Sequence, residues 1–338
     1  MALVGFVDLQ VNGFRQVDFS TPALSEDAVV AAWRGVIADG TAILLPTLIT
    51  SPDAVYARNL PLLARLAAHP EFAPHIPGFH LEGPFLCPQE GAAGAHDPRW
   101  MRAADPYVLD QLQQYAGGRI RLLTVAADLP GVSALIAHAR RLGIVVSLGH
   151  HLATTDDLTR ATAAGASALT HLGNGLPHLM DRHRNPLLAG LAADDLQAMV
   201  VGDGHHLPWD VMRLTLRCKG LDCTILVSDA SPLAGLPPGD YPCFGATARL
   251  GVDGRLANPA TGYLMGSAYT IRQVMNASRR ALALDDAACT ALAVTNPLNL
   301  LGLRAQVVLP PRDAAGDFLP SVQLPPAEAQ PCAASTSI

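Results

Sequence analysis

The sequence predicts an α/β fold in which eight parallel strands close into a (β/α)8 barrel of the TIM type. Short apolar segments alternate with segments whose apolar residues recur at helical spacing, as is typical of βαβ units. Eight such apolar segments precede residue 230, and eight units indicate a closed barrel. No G-x-G-x-x-G follows the first segment, so a dinucleotide site is not supported. An open doubly wound sheet is the alternative architecture.

The predicted strands are short apolar runs, several of which end at Gly or Pro, the residues that stop strands. They cover residues 4–13, 41–45, 76–81, 120–125, 144–148, 168–170, 198–201 and 224–227. The predicted helices between them cover 25–38, 53–68, 107–115, 130–141, 155–164 and 208–217, with one more ending near 195. Ser25 and Thr154 (or Thr155) are candidate N-caps because their hydroxyls can accept a backbone N–H.

After the eighth strand the alternation breaks. Residues of about 240–265 predict a small β insertion, with Gly251, Asp253 and Gly254 as turn residues. Two helices are expected at 268–284 and 285–294, the second ended by Asn296-Pro297. We expect residues 1–303 to form the barrel domain. Residues 304–338 are rich in Pro, Ala and Ser, and we expect an irregular C-terminal tail there.

Composition and charge narrow the classes of function. The chain has 338 residues, of which 50% are hydrophobic and 15% charged, enough to bury a large core. Its net charge is −6 with no basic run, so neither nucleic acid nor an anionic membrane is an expected partner. No apolar stretch is long enough to span a bilayer, and no basic-then-apolar leader opens the chain. The six cysteines include no C-x-x-C, which favours free thiols in a reducing cytoplasm.

Polar side chains follow several predicted strands at the same end. They are Glu82 on the third strand, His150 on the fifth, His171 on the sixth, Asp203 and His206 on the seventh, and Asp229 on the eighth. One such residue is usually a loop cap or a satisfied histidine near the surface. Several at one barrel end are hard to explain by packing, because gathering charged groups is costly without a cation or a substrate.

Two imidazoles and one carboxylate form a typical catalytic Zn²⁺ set, in which one coordination position stays open. With Glu82 as that carboxylate, Asp229 is a candidate general base. It would take a proton from the attacking water and return it to the leaving group. A barrel that binds a ligand or partner without catalysis is the alternative from another class.

Several segments, spread over nearly all of residues 5–303, resemble those of a known family. They are 5–13, 46–50, His80-Leu81-Glu82-Gly83-Pro84-Phe85, Gly94-Ala95-His96, 147–150, Thr170-His171-Leu172-Gly173-Asn174-Gly175, Asp203-Gly204-His205-His206, 226–230, 266–267, 296–297 and 301–303. In content and order the chain resembles the N-acetylglucosamine-6-phosphate deacetylases of the amidohydrolase superfamily. The resemblance implies a barrel of the metal-dependent amidohydrolase kind, in a short variant that lacks most of the family's auxiliary β domain.

The resemblance also implies an activity and its catalytic residues. Glu82, His150 and His171 would hold one divalent metal ion, Zn²⁺. Asp229 would be the catalytic acid and base, and His206 would polarise the acetamido carbonyl. The reaction would hydrolyse a linear amide bond and convert N-acetylglucosamine 6-phosphate to glucosamine 6-phosphate and acetate.

Further residues would contact this amino-sugar substrate. Those implied to line the pocket or bind the sugar phosphate are Ala95, Asn174, Gly175, Met265 and Gly266. Arg184 aligns with the family's phosphate-binding arginine, which reaches the site across a homodimer interface. A surface arginine in the polar run 181–184 is the alternative reading of Arg184.

Gln10 and Asn12 stand where many amidohydrolases carry H-x-H for a second metal ion. Amide side chains are poor Zn²⁺ ligands, so this second-metal position is expected to be vacant. The only lysine, Lys219, lies in a helix-to-strand connection and is not placed to bridge two ions. Both features favour a single metal ion.

Two departures from the family pattern bear on the substrate. Leu172-Gly173-Asn174-Gly175 replaces a bulkier sequence after His171, and Ser231-Pro232 follows Ala230. Such changes reshape the pocket but leave the hydrolytic residues in place. Together with the missing auxiliary domain, they motivate an alternative substrate, another N-acyl sugar or a cyclic amide.

Overall fold

The computed structural model describes residues 2–243, 246–260, 262 and 264–322. Eight parallel strands form one sheet in which neighbours along the chain are neighbours in space. They are β1 (Phe6–Val11), β2 (Thr41–Ile49), β3 (Phe79–Glu82), β4 (Ile120–Val125), β5 (Val145–Leu148), β6 (Ala168–Leu169), β7 (Gln197–Val201) and β8 (Thr224–Val227). Between β8 and β1, Val11 and Ala230 form a parallel bridge. The predicted barrel is confirmed, and the sequential order excludes a doubly wound sheet, whose strand order reverses.

Helices alternate with these strands as the spacing of apolar residues predicts. They are α1 (Glu26–Ala38), α2 (Asp53–Ala67), α3 (Pro106–Tyr115), α4 (Val132–Arg141), α5 (Thr155–Ala164), α6 (Pro186–Leu191), α7 (Trp209–Lys219) and α8 (Ile271–Leu282). Ser25 caps α1 and Thr154 caps α5, the latter in a reciprocal capping box with Asp157. Within the described ranges, no helix is both long and apolar enough to cross a membrane.

Alternate residues of the barrel strands pack into two apolar cores, as the two-residue period of a strand requires. Val7, Met199 and Ile225 belong to the core inside the barrel. Leu81 and Leu226 belong to the larger core between the strands and the helices. The five cysteines in the described ranges form no disulfide, and Cys332 lies outside those ranges.

A polar layer in the barrel supports the strands that lead to the site. His80 Nε2 lies 2.7 Å from Thr124 Oγ1, and Thr124 Oγ1 lies 2.8 Å from Thr170 Oγ1. Thr170 also bonds Ser147 Oγ at 2.7 Å, and all these groups are buried. His80 and Glu82 are two residues apart on β3 and therefore share one face. The layer ties β3 to β4, β5 and β6 just below Glu82.

Outside the barrel sheet, a three-stranded antiparallel sheet follows β8. Its strands are Gly239–Cys243, Ala246–Leu250 and Leu256–Ala257. The Gly254 N–H donates to the Gly251 carbonyl, which makes the predicted turn. Residues 244, 245, 261 and 263 of the predicted insertion lie outside the described ranges. Two smaller sheets pair Leu3–Val4 with Val307–Val308 and Gly13–Phe14 with Val17–Asp18.

The prediction that Asn296-Pro297 ends a helix is wrong. Helix α9 (Asp286–Thr290) passes through a π-helical turn, Ala291–Thr295, into α10 (Asn296–Leu300). Pro297 stands in the first turn of α10. A first-turn residue needs no N–H donor, so the proline is tolerated there.

Residues 304–322 have little regular structure but pack against the barrel. The Phe318 ring is buried and meets the Phe6 ring edge-on, with centroids 5.1 Å apart. The Phe318 backbone exchanges two hydrogen bonds with the Asn276 amide on α8. The rest of the predicted irregular tail, residues 323–338, lies outside the described ranges.

Candidate active site

Three side chains converge at the C-terminal mouth of the barrel. Glu82 is the last residue of β3, and His150 and His171 each lie two residues beyond the ends of β5 and β6. Glu82 Oε1 lies 3.0 Å from His150 Nε2 and 2.8 Å from His171 Nε2. The two Nε2 atoms are 3.0 Å apart, and all three residues are buried. The structure thus gathers the three predicted ligands into one group that could hold a metal ion.

The hydrogen bonds of His150 show why this group suits a cation. His150 Nδ1 lies 2.7 Å from the Ala92 carbonyl oxygen, which can only accept, so Nδ1 donates. Burial lowers the pKa of His150 to about 4, so the ring is neutral. Its Nε2 then directs a lone pair at the Glu82 carboxylate, which also offers only lone pairs. A bound cation removes this repulsion, and the donor set is that of catalytic zinc sites.

The Glu82 carboxylate is held in its charged form. Burial opposes the charge, but interactions with the neighbouring imidazoles of His150, His171 and His96 outweigh burial and lower the pKa of Glu82 well below its usual range. His96 accepts the Thr50 N–H at Nδ1, which leaves Nε2 facing Glu82 Oε2 at 3.7 Å. Sequence reasoning assigned no role to His96. Its signals were its place beside Ala95, a predicted pocket residue, and its place in the family segment Gly94-Ala95-His96.

Three of the predicted site residues share an unusual backbone conformation. His150, His171 and Asp229 have φ angles of 52°, 30° and 49°. These values lie in the left-handed region that disfavours residues with a Cβ. Each residue stands two positions after its strand, where the chain turns out of the barrel. Such strain persists only where surrounding structure imposes it, and it clusters at functional sites.

Asp229 is a second buried carboxylate in the mouth. Asn12 Nδ2 donates to Asp229 Oδ1 at 2.7 Å. Burial, followed by the charge of Glu82, raises the pKa of Asp229 to about 6. A carboxylate with a raised pKa exchanges protons more readily near neutral pH, as general acid and base catalysis requires. Asn12 contacts Asp229 at the position where many amidohydrolases place a metal ligand.

His206 faces the same mouth from the end of β7. Its Nδ1 lies 2.7 Å from Asp203 Oδ2, and both side chains are buried. Burial opposes protonation of His206, but the hydrogen bond and charge of Asp203, with the charge of Asp229, raise its pKa. The sequence placed Asp203 at a strand end, but nothing in the pattern paired it with His206.

These groups line one cavity of about 190 Å³. Its predicted lining residues are Asn12, Glu82, Ala95, His150, His171, Asn174, Gly175, His206, Asp229 and Gly266. Residues with no predicted role that also line it include Ile49, His96, Ser231 and Leu264. The cavity is small and partly walled by the segment that follows the three-stranded sheet.

Three predicted site residues lie outside this cavity. Met265 packs against the apolar cluster of the three-stranded sheet. Arg184 is exposed, and its backbone N–H donates to Asp181 Oδ1 at 2.8 Å. Gln10 is fully buried, and neither polar atom of its side chain has a hydrogen-bond partner.

Gly175 contributes through close approach rather than through a side chain. Its φ is +62°, and a Cβ built on it would lie 2.9 Å from His150 Nδ1. Any other residue would therefore press on the imidazole and strain the backbone. The loop after His171 can pass over His150 only because position 175 is glycine.

An eight-stranded parallel barrel with a Glu-His-His cluster and a separate carboxylate at its C-terminal mouth defines a metal-dependent hydrolase of the amidohydrolase type. No family model matches the chain. A Bos taurus protein named N-acetylglucosamine-6-phosphate deacetylase is 33% identical over 315 residues, covering 88% of this chain and 74% of its own. An N-acetylgalactosamine-6-phosphate deacetylase of Escherichia coli O157:H7 is 28% identical over 300 residues, covering 88% of this chain and 77% of its own.

A solved structure leads to the same family. The N-acetyl-D-glucosamine-6-phosphate deacetylase of Mycobacterium smegmatis, a mutant in complex with N-acetyl-D-glucosamine-6-phosphate, is 29% identical with a TM-score of 0.80. The match covers 90% of this chain and 78% of that chain. The chain belongs to the N-acetylglucosamine-6-phosphate deacetylase family, whose members are hydrolases of amide bonds. Family membership supports an enzyme rather than a ligand-binding barrel.

Proposed function

We propose that the protein removes the acetyl group from N-acetylglucosamine 6-phosphate, giving glucosamine 6-phosphate and acetate. The observation that carries this proposal is the meeting of the Glu82-His150-His171 cluster with Asp229 and His206 in one cavity. The Bos taurus relative has this activity in its name, and the Mycobacterium smegmatis enzyme was solved with this sugar phosphate.

The cofactor we propose is one Zn²⁺ ion held by Glu82, His150 and His171. When bound, such an ion supplies a Lewis acid that polarises a carbonyl and lowers the pKa of a water molecule. Asn12 supports a single ion, because its Nδ2 is already bonded to Asp229. The uncharged Gln10 amide offers a second ion no anionic ligand.

The chain's own residues move the protons. Asp229 takes a proton from the attacking water as the new C–O bond forms at the acetyl carbon. It then returns that proton to the amide nitrogen as the C–N bond breaks, which releases acetate and a free amine. Asn12 holds the carboxylate in place, and His206 donates a hydrogen bond to the carbonyl oxygen. Ala95, Asn174, Gly175 and Gly266 enclose the sugar.

A second substrate is favoured by one relative. The Escherichia coli protein is named for N-acetylgalactosamine 6-phosphate, which differs from the first substrate only in the configuration at one sugar carbon. We infer that both substrates place the same acetamido group against Asp229 and His206. Comparing kcat/KM for the two sugar phosphates shows which one the protein prefers.

Arg184 is the proposed phosphate ligand, contributed by the second subunit of a homodimer. It is exposed and lies outside the cavity of its own chain. The same loop exposes two apolar side chains, Leu179 at 93% and Met180 at 39%. Exposed apolar side chains on a loop near the site suit contact with a second copy of the chain.

A substrate panel tests the proposed function and Arg184 together. We expect wild-type protein to release acetate from N-acetylglucosamine 6-phosphate much faster than from unphosphorylated N-acetylglucosamine. Arg184→Ala should raise KM for the phosphorylated sugar roughly 10–100-fold, the value of a charge-assisted hydrogen bond. It should leave the unphosphorylated sugar unchanged.

Arg182→Ala is the matched control, because Arg182 is exposed in the same loop. It should behave as wild type. Equal wild-type rates on both sugars would refute the phosphate role of Arg184. Failure to release acetate from any N-acetyl sugar phosphate would refute the function itself.

A further inference from the structure

The Asp203 carboxylate is buried and bonds the turn that carries His206. Its side chain is 2% exposed. Asp203 Oδ1 accepts the backbone N–H groups of His205 and His206 at 2.8 and 2.9 Å. Asp203 Oδ2 lies 2.7 Å from His206 Nδ1. The three hydrogen bonds that this carboxylate accepts therefore fix both the turn and the orientation of the ring.

This contact decides which nitrogen of His206 carries a hydrogen. A carboxylate only accepts, so His206 Nδ1 must donate to Asp203. His206 Nε2 is then the nitrogen that faces a ligand in the cavity. In a neutral ring this Nε2 has only a lone pair and cannot bond a carbonyl oxygen, which has only lone pairs as well. His206 can therefore polarise an acyl carbonyl only as the imidazolium ion.

The charges around His206 favour that cation. Asp203 bonds the ring at Nδ1 from the same loop, and the charge of Asp229 acts on it from the end of β8. His171, from the end of β6, acts in the opposite direction. Glu82 and His150 share the cavity beyond His171. The two aspartates outweigh the histidine, in agreement with the raised pKa of His206.

We propose that Asp203 is a positioning residue that keeps His206 as a cationic hydrogen-bond donor to the acyl carbonyl oxygen of the substrate. The proposal rests on the proposed amide hydrolysis, in which His206 faces that oxygen. The rival explanation is that Asp203 only closes the turn through the two backbone N–H groups. The charge of Asp203 matters in the first case and is dispensable in the second.

Asp203→Asn separates the two explanations, because asparagine keeps an acceptor oxygen but loses the charge. We expect kcat for acetate release to fall by about 10²–10³-fold at neutral pH, the effect of losing one transition-state donor. KM and metal content should stay near wild type. Since the missing charge no longer stabilises the imidazolium, the alkaline limb of kcat should move to lower pH by about one unit or more.

Asp313→Asn is the matched control. Asp313 Oδ1 also accepts two backbone N–H groups, from Ala315 and Asp317, but within the described ranges it has no hydrogen bond or ion pair with a histidine. Its activity and pH profile should equal those of wild type. An Asp203→Asn variant that folds and keeps the wild-type kcat and alkaline limb would overturn the proposal.

A measurement on the unmodified protein keeps the proposal testable if Asp203→Asn does not fold. In ¹⁵N NMR spectra of the metal-loaded protein, the His206 ring signals are those absent from the His206→Gln variant. Their chemical shifts at pH 7 should show hydrogen on both ring nitrogens. A neutral His206 ring would overturn the proposal. If wild type releases no acetate, the proposed function fails, and the same shifts still decide whether His206 beside Asp203 is a cation.

Discussion

Replacing Asp229 by asparagine is expected to lower kcat for acetate release by about 10²–10⁴-fold, the usual contribution of general acid and base catalysis. The variant should keep wild-type metal content, because Asp229 is not one of the three residues that gather as ligands. An asparagine oxygen can still accept the Asn12 Nδ2 hydrogen bond. The fall in kcat would therefore reflect lost proton transfer rather than altered structure. Steady-state kinetics measures kcat, and metal analysis measures the metal content.

Asp8→Asn is the control for this variant. Asp8 is also a buried carboxylate, and it accepts the Ser228 N–H and hydroxyl beside β8. Burial raises the pKa of Asp8 to about 7, so an uncharged amide resembles its protonated form. Asp8→Asn should retain activity. An Asp229→Asn variant as active as Asp8→Asn would show that another group carries the proton.

Replacing Glu82 by glutamine is expected to remove both metal and activity. Glu82 Oε1 is the atom that both imidazoles approach, and it bears the only negative charge of the cluster. A neutral amide is a poor Zn²⁺ ligand. Loss of a residue that only supports a metal ligand lowers metal affinity by roughly 10–100-fold. Loss of the ligand Glu82 should lower it by more. Competition with a chelator of known affinity measures the change.

His96→Gln supplies the comparison. His96 Nε2 lies 3.7 Å from Glu82 Oε2, and His96 is not among the three gathered ligands. Its loss should weaken metal binding only by the smaller factor of about 10–100. If Glu82→Gln bound metal as tightly as wild type, the ligand set inferred from the structure would be wrong.

The sequence predicted the barrel well where local physics decides the structure. The predicted bounds of β4, β8 and α5 agree with the observed Ile120–Val125, Thr224–Val227 and Thr155–Ala164. Strands buried on both faces are apolar runs, and a capped helix shows its start in the sequence. Prediction failed at Pro297, where a π-helical turn lets the chain remain helical. That turn depends on packing that no local pattern records.

The site was predictable in its chemistry but not in its geometry. Glu82, His150 and His171 could be placed at one barrel end because parallel strands all finish there. The left-handed backbone at His150, His171 and Asp229 could not be predicted, because surrounding structure imposes it on residues that disfavour it. The contact between Asp203 and His206 depends on a loop conformation without a sequence signal.

The central claim, one metal ion serving an amide hydrolase, is tested most directly by titrating Zn²⁺ into chelator-treated wild-type protein. Acetate release from N-acetylglucosamine 6-phosphate is followed at each ratio of metal to chain. We expect no measurable activity without metal, a linear rise, and a plateau at one ion per chain. Full activity without metal, or a rise that continues to two ions per chain, would contradict the claim.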